Sequence, residues 1–352
     1  MLIKNEDSEK LMGDLKSYNH YVDKALNRQK IKVREKLAFA LKTIFRIREA
    51  AVLVVVIIIG LILTLSSPYF LTIENLKAIA IGLSTDAIMA VGMTILLVSG
   101  GFDLSIGSVL AFGGAISALF LGKNFNMWIS IIIALAVAAI IGLINGTIVT
   151  KIGVNPLITT LGMMSIARGA TLVVAQGYPL AEIPLEFTVF GQGEIFGLPV
   201  PMLIMLLIVI IGEVMLRRSR FLRQAYYIGS NERAARLSGI HVDKVKMFSY
   251  VITATLAVIA GLISTSRLAA AFPQAGIGAE LRVISACVIG GASLAGGEGS
   301  VLGSLLGVVL LAIVNNGLIL KNVSIYWQGI VSGLILILAV TLDILSRRRR
   351  VR

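Results

Sequence analysis

The chain has 352 residues, 57% of them hydrophobic and only 14% charged, with a net charge of +13 and a mean hydropathy of +0.91. Soluble chains carry about 25% charged residues, so this composition excludes a water-soluble domain and describes an integral membrane protein whose partner is membrane lipid. Nucleic acid is not an expected partner, because the basic residues gather at the two ends and in one loop, where membrane proteins place them.

Residues 1–49 form a polar, strongly basic N-terminal segment, too long to be the charged region of a secretory signal, so the first apolar run reads as a retained anchor. Apolar run lengths and breaker clusters then predict about ten transmembrane helices, an all-α polytopic fold. The predicted helices are 50–66, 76–98, 104–122, 127–149, 155–176, 200–216, 245–266, 281–295, 299–320 and 325–346. They form one membrane domain, 50–346, followed by a basic tail, 347–352. With the N-terminus and C-terminus both cytoplasmic, the inner side receives twelve basic residues of the leader, Lys151, eight between Arg217 and Lys246, and five in the tail. That is 26 inside against five outside (Lys77, Lys123, Arg267, Arg282 and Lys321), as the positive-inside rule requires.

Two segments are unusual. The run 281–295 is short and interrupted by Gly290 and Gly291, so it is either a full span or a broken helix whose freed backbone groups face protein or water. The loop 177–199 lacks Lys and Arg but holds Glu182, Glu186 and Glu194 with three prolines, and reads as an extended, mildly acidic external connector.

Small residues four apart, Gly142 with Gly146, Gly303 with Gly307 and Gly329 with Gly333, suit close helix packing. A short echo, Gly107-Ser108-Val109-Leu110 against Gly299-Ser300-Val301-Leu302, hints at an internal duplication.

Chemistry is sparse. Cys287 is the only cysteine, which excludes an intramolecular disulfide, and the two histidines, His20 and His241, lie far apart in polar segments. No Gly-x4-Gly-Lys-Ser/Thr loop is present, and the glycine-rich stretch Gly290 to Gly299 has no lysine to grip a phosphate. ATP, if used, is hydrolysed by another chain. Ionisable residues inside spans are functional candidates by their cost: Asp86 sits mid-span and Arg168 lies some 13 residues along its helix. Asp103 falls in the tight turn Ser99 to Ser105, where a carboxylate suits an N-cap for the helix that follows.

The loop 217–246 is long enough for a short helix over Glu232 to Ser238. Ser230 or Asn231 can cap it, Glu232 suits its positive end, and Gly239 can close it in a left-handed conformation. Arg233 and Arg236 then stand three residues apart on one face.

These stretches carry a resemblance. Ala90-Val91-Gly92-Met93-Thr94 with Gly101-Phe102-Asp103-Leu104-Ser105-Ile106-Gly107-Ser108, Asn155-Pro156-Leu157-Ile158-Thr159-Thr160-Leu161-Gly162 and Ser165-Ile166-Ala167-Arg168-Gly169 resemble the ribose-type sugar permeases of ABC importers. So do Gly229 to Ile240, Gly290 to Gly297 and Asn315-Asn316-Gly317-Leu318, in register from about residue 50 to 345.

The resemblance implies a non-catalytic permease subunit that pairs with a second permease copy or paralogue and forms a membrane path for a sugar. It implies a cytoplasmic ATP-binding subunit as the motor, holding ATP and Mg while this chain holds no cofactor, and an extracytoplasmic solute-binding protein that delivers the sugar. Gly229, Asn231, Glu232, Arg233, Ala234, Ala235, Arg236, Ser238 and Gly239 would dock the ATPase, with Ala234, Ala235 and Gly239 allowing a close fit. Asn145, Arg168, Asn315 and Asn316 are candidates for the path, and Asp103 for a structural turn. The competing expectations are an ion-coupled secondary transporter, which the paucity of intramembrane carboxylates disfavours, a passive channel or scaffold, and an ABC permease for a non-sugar or sugar-like signalling molecule.

Overall fold

The computed structural model describes residues 48–324 and, beyond them, 327, 329–331, 333, 334, 337, 338 and 341. The chain divides into residues 1–51 and 52–352. Of the first unit, only the opening turn of a helix, Arg48 to Ala51, is described. The basic segment at 1–49, most of the span expected at 325–346 and the tail 347–352 thus lie outside the described residues.

The helices are α1 (Arg48–Ser66), α2 (Ile73–Val98), α3 (Ile106–Gly122), α4 (Met127–Thr147), α5 (Pro156–Ala175), α6 (Leu185–Gln192), α7 (Val200–Arg218), α8 (Gln224–Ser230), α9 (Glu232–Leu237), α10 (Val242–Leu268), α11 (Ala279–Ile289) and α12 (Val301–Leu320). A π-helical turn, Ile148–Ile152, extends α4 and ends at Gly153 in a left-handed conformation. Every expected span from 50–66 to 299–320 holds a helix, and among the described residues seven helices are long and apolar enough to cross a membrane. The chain is a multi-pass membrane protein.

Polar side chains set the helix starts. Thr72, Asn126, Asn155 and Ser300 each accept a bond from an otherwise unpartnered first-turn amide, of Asn75, Trp128, Leu157 and Gly303 respectively. Pro156 follows Asn155 at the first helical position, where its missing N–H costs nothing.

The long helix α10 is the hub, packed against α2, α3 and α4. Its 27 residues reach about 40 Å at helical rise, enough to span with margin. Close packing depends on the glycines expected to form seams: a Cβ at Gly142 would stand 2.6 Å from the Val251 Cα, and one at Gly146 2.8 Å from the Met247 Cα. Glycines 303 and 307 play the same part in α12, lying directly on the carbonyls of Gly290 and Ala286 in α11 and its exit. In lipid, dispersion contacts of this kind replace the hydrophobic drive between helices. Gly329 and Gly333 have no neighbouring atoms within 4 Å among the described residues.

The segment expected at 281–295 is a broken helix. Its helical part, α11, has 11 residues, about 16 Å at helical rise against a hydrocarbon core of about 30 Å. The approach, residues 269–278, is non-helical and carries positive φ at Ala269, Gly276 and Gly278. Arg168 of α5 donates from one guanidinium nitrogen to the carbonyls of Pro273 and, at 2.9 Å, Ala275. Irregular backbone is tolerated beside spans where protein groups satisfy it, and Arg168 supplies part of that satisfaction.

The 177–199 connector is more ordered than expected. It contains α6 and a two-residue hairpin, β1 (Glu194–Ile195) with β2 (Leu198–Pro199), closed by Phe196 and Gly197 at positive φ. An isolated bridge pairs Leu180 with Ala271, and Lys77 of α2 holds Glu194 at 2.8 Å.

Candidate functional site

Three structural features bear on function: a short helix standing off the end of the bundle, a joint of glycines beneath it, and a cavity between α2, α11 and α12.

The short helix is α9. Asn231 caps it, its side chain accepting from Ala234 N at 3.0 Å, and Gly239 closes it with φ 81°. Ala235 is buried beneath, and Glu232 and Arg236, both partly open to solvent, join an ion-pair chain. Arg236 reaches Glu232 at 3.0 Å and Asp243 at 2.7 Å, Lys246 reaches Glu232 at 2.6 Å, and Lys151 reaches Asp243 at 3.2 Å. Burial pushes the Glu232 carboxyl up, but the bonds and charges of Lys246 and Arg236 outweigh it and hold it below the ordinary value. Asp243 behaves alike: burial raises it, and Arg236 with Lys151 bring it lower than usual.

Arg233 and Arg236 are both exposed on α9; Arg236 is engaged by Glu232 and Asp243, while Arg233 has no ion pair among the described residues. Ala235, expected to permit close fit of a partner, is in the floor instead. Sequence reasoning missed Leu237, which is 90% exposed. An exposed leucine two residues before a closing glycine, on a helix otherwise anchored by charges, was the available signal. Of the exposed residues of α9 and its exit, Arg233, Ala234, Leu237 and Ser238 make no ion pair.

The joint lies under α8, the helix preceding α9. Gly229 leaves no room for a Cβ, which would collide with the Val98 carbonyl and lie against Gly297 N. Gly296 approaches both Gly229 and Gly100, and a Cβ there would stand 2.8 and 2.9 Å from their Cα atoms. The Gly297 amide donates to the Val98 carbonyl at 2.9 Å, and the Tyr226 hydroxyl of α8 donates to the Gly299 carbonyl at 2.8 Å. Gly229, expected at the docking surface, packs against the backbone of Val98, Gly296 and Gly297. The contact joins the turn between α2 and α3 to the glycine-rich turn between α11 and α12.

Near the joint, Asp103 accepts from Ser105 N at 2.7 Å and Ser105 Oγ at 2.5 Å, and Asn145 Nδ2 approaches at 3.3 Å. Helix α3 begins at Ile106 without a side-chain cap, so Asp103 braces the turn and does not cap the helix. Burial pushes its carboxyl up, opposed by these donors. Asn145, a path candidate, is fully buried in this brace.

The cavity has a volume of about 460 Å³. Asp86 of α2 faces Arg282 of α11, with bonds of 3.3 and 3.5 Å. Asn75 and Asn316 exchange amide bonds of 3.1 and 2.7 Å, and Asn315 and Arg267 complete the polar lining. The four path candidates consequently separate: Asn315 and Asn316 line this cavity, Asn145 braces a turn, and Arg168 holds the 269–278 backbone. Asp86, noted from sequence only as a mid-span carboxylate, is paired across helices. Among the described residues no cluster of three or more His, Cys, Asp or Glu stands ready for a metal.

The family described as branched-chain amino acid transport system / permease component matches residues 75–340. The chain belongs to this permease family. Ribose import permease protein RbsC of Escherichia coli is 42% identical over 299 residues, covering 84% of this chain and 93% of the relative. RbsC of Bacillus subtilis is 39% identical over 288 residues, 81% and 89% of the two chains. The L-arabinose transport system permease protein AraH of Escherichia coli is 37% identical over 295 residues, covering 84% and 90%. No solved structure matches the chain.

Proposed function

We propose that this chain is the permease subunit of an ABC importer and forms the membrane path for a sugar, a ribose-type pentose or related monosaccharide. The observation that carries the reading is the full-length similarity to permeases named for ribose, arabinose and allose. A sugar cannot cross hydrocarbon unaided, since each hydroxyl stripped of water without a partner costs about 2–7 kcal/mol. The permease supplies a path that opens to one side at a time.

The motor is a separate cytoplasmic ATP-binding subunit, which holds ATP and Mg and docks on Arg233, Ala234, Leu237 and Ser238. A second permease copy or paralogue completes the path, and an extracytoplasmic binding protein delivers the sugar. The N-terminus and the basic loop 217–246 lie on the cytoplasmic side, in keeping with the charge distribution. Inverting a 1:99 preference between two orientations takes about 5.5 kcal/mol of differential binding. The glycine joint supports a route for it: displacement of α8 and α9 moves the α2–α3 and α11–α12 turns together, because backbone touches backbone there.

The test is reconstitution of the permease with its ATPase and binding protein in liposomes. Sugar uptake that requires ATP inside and the binding protein outside is expected. Uptake by the permease alone under an ion gradient would replace this reading with secondary transport.

A further inference from the structure

The turn between α7 and α8 reads Ser219-Arg220-Phe221-Leu222-Arg223, directly behind Arg217 and Arg218 at the end of α7. It is folded. The Arg223 amide donates to the Ser219 carbonyl at 3.0 Å and the Leu222 amide to the Ser219 hydroxyl at 3.4 Å. Leu222 and Ala225 are buried, and the Phe221 ring meets Phe248 of α10 edge to face, with centroids 5.4 Å apart.

Two rulers set the level of this turn. Helix α7, Val200–Arg218, rises about 27 Å, and α10 from Phe248 to its end at Leu268 rises about 30 Å. Both match a hydrocarbon core of about 30 Å, so Arg218 and the Phe221–Phe248 pair stand where acyl chains give way to headgroups.

Charge there is unbalanced. Of the eight basic residues between Arg217 and Lys246, Arg217 is held by Glu213, Arg236 by Glu232 and Asp243, and Lys246 by Glu232. Those three acids are the only carboxylates from Glu213 to Lys246. Glu213 also receives two amides of α12, and Asp243 also holds Lys151. Glu298, on the turn that Tyr226 of α8 reaches, is not free either. Arg218, Arg220, Arg223 and Lys244 are exposed and make no ion pair among the described residues. Lys244 stands one helical turn from Phe248, on the same face of α10.

We propose that this turn binds the phosphodiester of an anionic phospholipid in the adjacent leaflet, with Arg218, Arg220, Arg223 and Lys244 around the phosphate and the Phe221–Phe248 pair against the top of an acyl chain. The proposal needs only the membrane assignment and is independent of the importer reading.

The chemistry selects the ligand. Guanidinium forks match phosphate oxygens in pairs, and basic clusters beside the end of a span attract anionic lipid. A zwitterionic headgroup carries its own ammonium, which four cations repel. The two rings, 36% and 41% exposed, favour lipid over a soluble partner, because at their level acyl chains cover them and water does not. Arg223 leads straight into α8, so the bound lipid fastens the segment that runs through the glycine joint to α9.

Fluorescence quenching provides the test. Tyr227→Cys puts a thiol at an exposed position one turn beyond Arg223, and Cys287, the only native cysteine, is buried. The assembled permease–ATPase complex with a bimane at 227 is placed in phosphatidylcholine nanodiscs. Phosphatidylglycerol or phosphatidylcholine bearing a nitroxide near the top of one acyl chain is then titrated in. Phosphatidylglycerol is expected to quench at the lower mole fraction, with a preference that shrinks at high salt. Arg218→Gln, Arg220→Gln and Arg223→Gln are each expected to weaken its binding about five-fold. Lys123→Gln, which removes an exposed cation at the far end of α3, is expected to change nothing. Equal quenching by the two lipids, or a preference that survives the three arginine substitutions together, would overturn the site. Relief of quenching by free glycerol phosphate would overturn the lipid in favour of a small phosphate. Loss of the ATPase from the arginine variants in lipid-free detergent would overturn it in favour of a protein interface. Each of these outcomes leaves ATP-dependent uptake, the measure of the importer reading, to be decided separately.

Discussion

The Gly297 amide donates to the Val98 carbonyl across 2.9 Å, tying the turn before α12 to the end of α2, and Gly229 of the docking segment lies against both. This contact tolerates no side chain on any of its faces. Replacing Gly229 with Ala forces the three backbones apart at a cost of about 1–3 kcal/mol. We expect that variant to reach the membrane and bind its ATPase but to hydrolyse ATP without importing sugar. Gly162→Ala, at a position with no neighbour within 4 Å, is the control and is expected to behave as the parent. The ratio of ATP hydrolysed to sugar imported distinguishes lost coupling from lost folding, which lowers both together.

Arg233 and Arg236 are expected to differ despite their spacing. Leu237→Ala and Arg233→Glu remove outward groups and should each weaken ATPase binding by about 1–2 kcal/mol, roughly tenfold, as exposed anchors of an interface do. Arg236→Gln breaks the internal chain to Glu232 and Asp243 and should loosen α9 with a smaller effect on affinity. Co-purification of the ATPase with each variant at graded concentrations measures the difference, and equal losses would refute this division of roles.

The same ion-pair chain sets a pH dependence. Glu232 and Asp243 both have carboxyls held below their ordinary values of 4.5 and 3.8. Their contribution is therefore present above those ordinary values and lost as pH falls through the lower folded ones. The protection of the α9 amides, taken relative to their intrinsic exchange at each pH, is expected to stay flat from about pH 8 to pH 5 and to fall only in stronger acid. A loss of protection near neutrality would contradict the assignment.

Glu213 is buried, receives the first amides of α12, Val301 N at 2.8 Å and Leu302 N at 3.2 Å, and pairs with Arg217. Leucine at 213 leaves those amides unsatisfied in an apolar setting, and a loss of about 1–3 kcal/mol follows. Thermal unfolding of the detergent-solubilised chain should shift down clearly for Glu213→Leu and less for Glu213→Gln, which keeps one acceptor.

Arg168 supports non-helical backbone. Its replacement by Met removes the donors to Pro273 and Ala275, and Gln274→Cys in that background should become more reactive than Gln274→Cys alone. Unchanged reactivity would show that the 269–278 segment holds its shape without Arg168.

Much was legible from residues alone. Long apolar runs must be helices in lipid because each backbone group needs an internal partner, so the spans from 50–66 to 200–216 emerge within a few residues of α1 to α5 and α7. The short helix at Glu232–Leu237 was equally legible, since Asn231, Glu232 and Gly239 are local signals and the cap needs only its own neighbours. The seams at Gly142, Gly146, Gly303 and Gly307 were readable for the same reason, since residues four apart lie one turn from each other on one face of their own helix.

Tertiary structure decided everything that joins distant segments. Nothing in the sequence says that Asp86 meets Arg282, 196 positions away, or that Asn75 meets Asn316, 241 away. Nor does it say that Gly229 packs on the backbone at Val98 and Gly297, or that Arg168 donates to the carbonyls of Pro273 and Ala275. Composition and periodicity fix what each segment must become, because those are local consequences of hydrogen bonding and burial. Which helices lie side by side depends on the packing of all of them at once, and the cavity, the joint and the ion pairs exist only there.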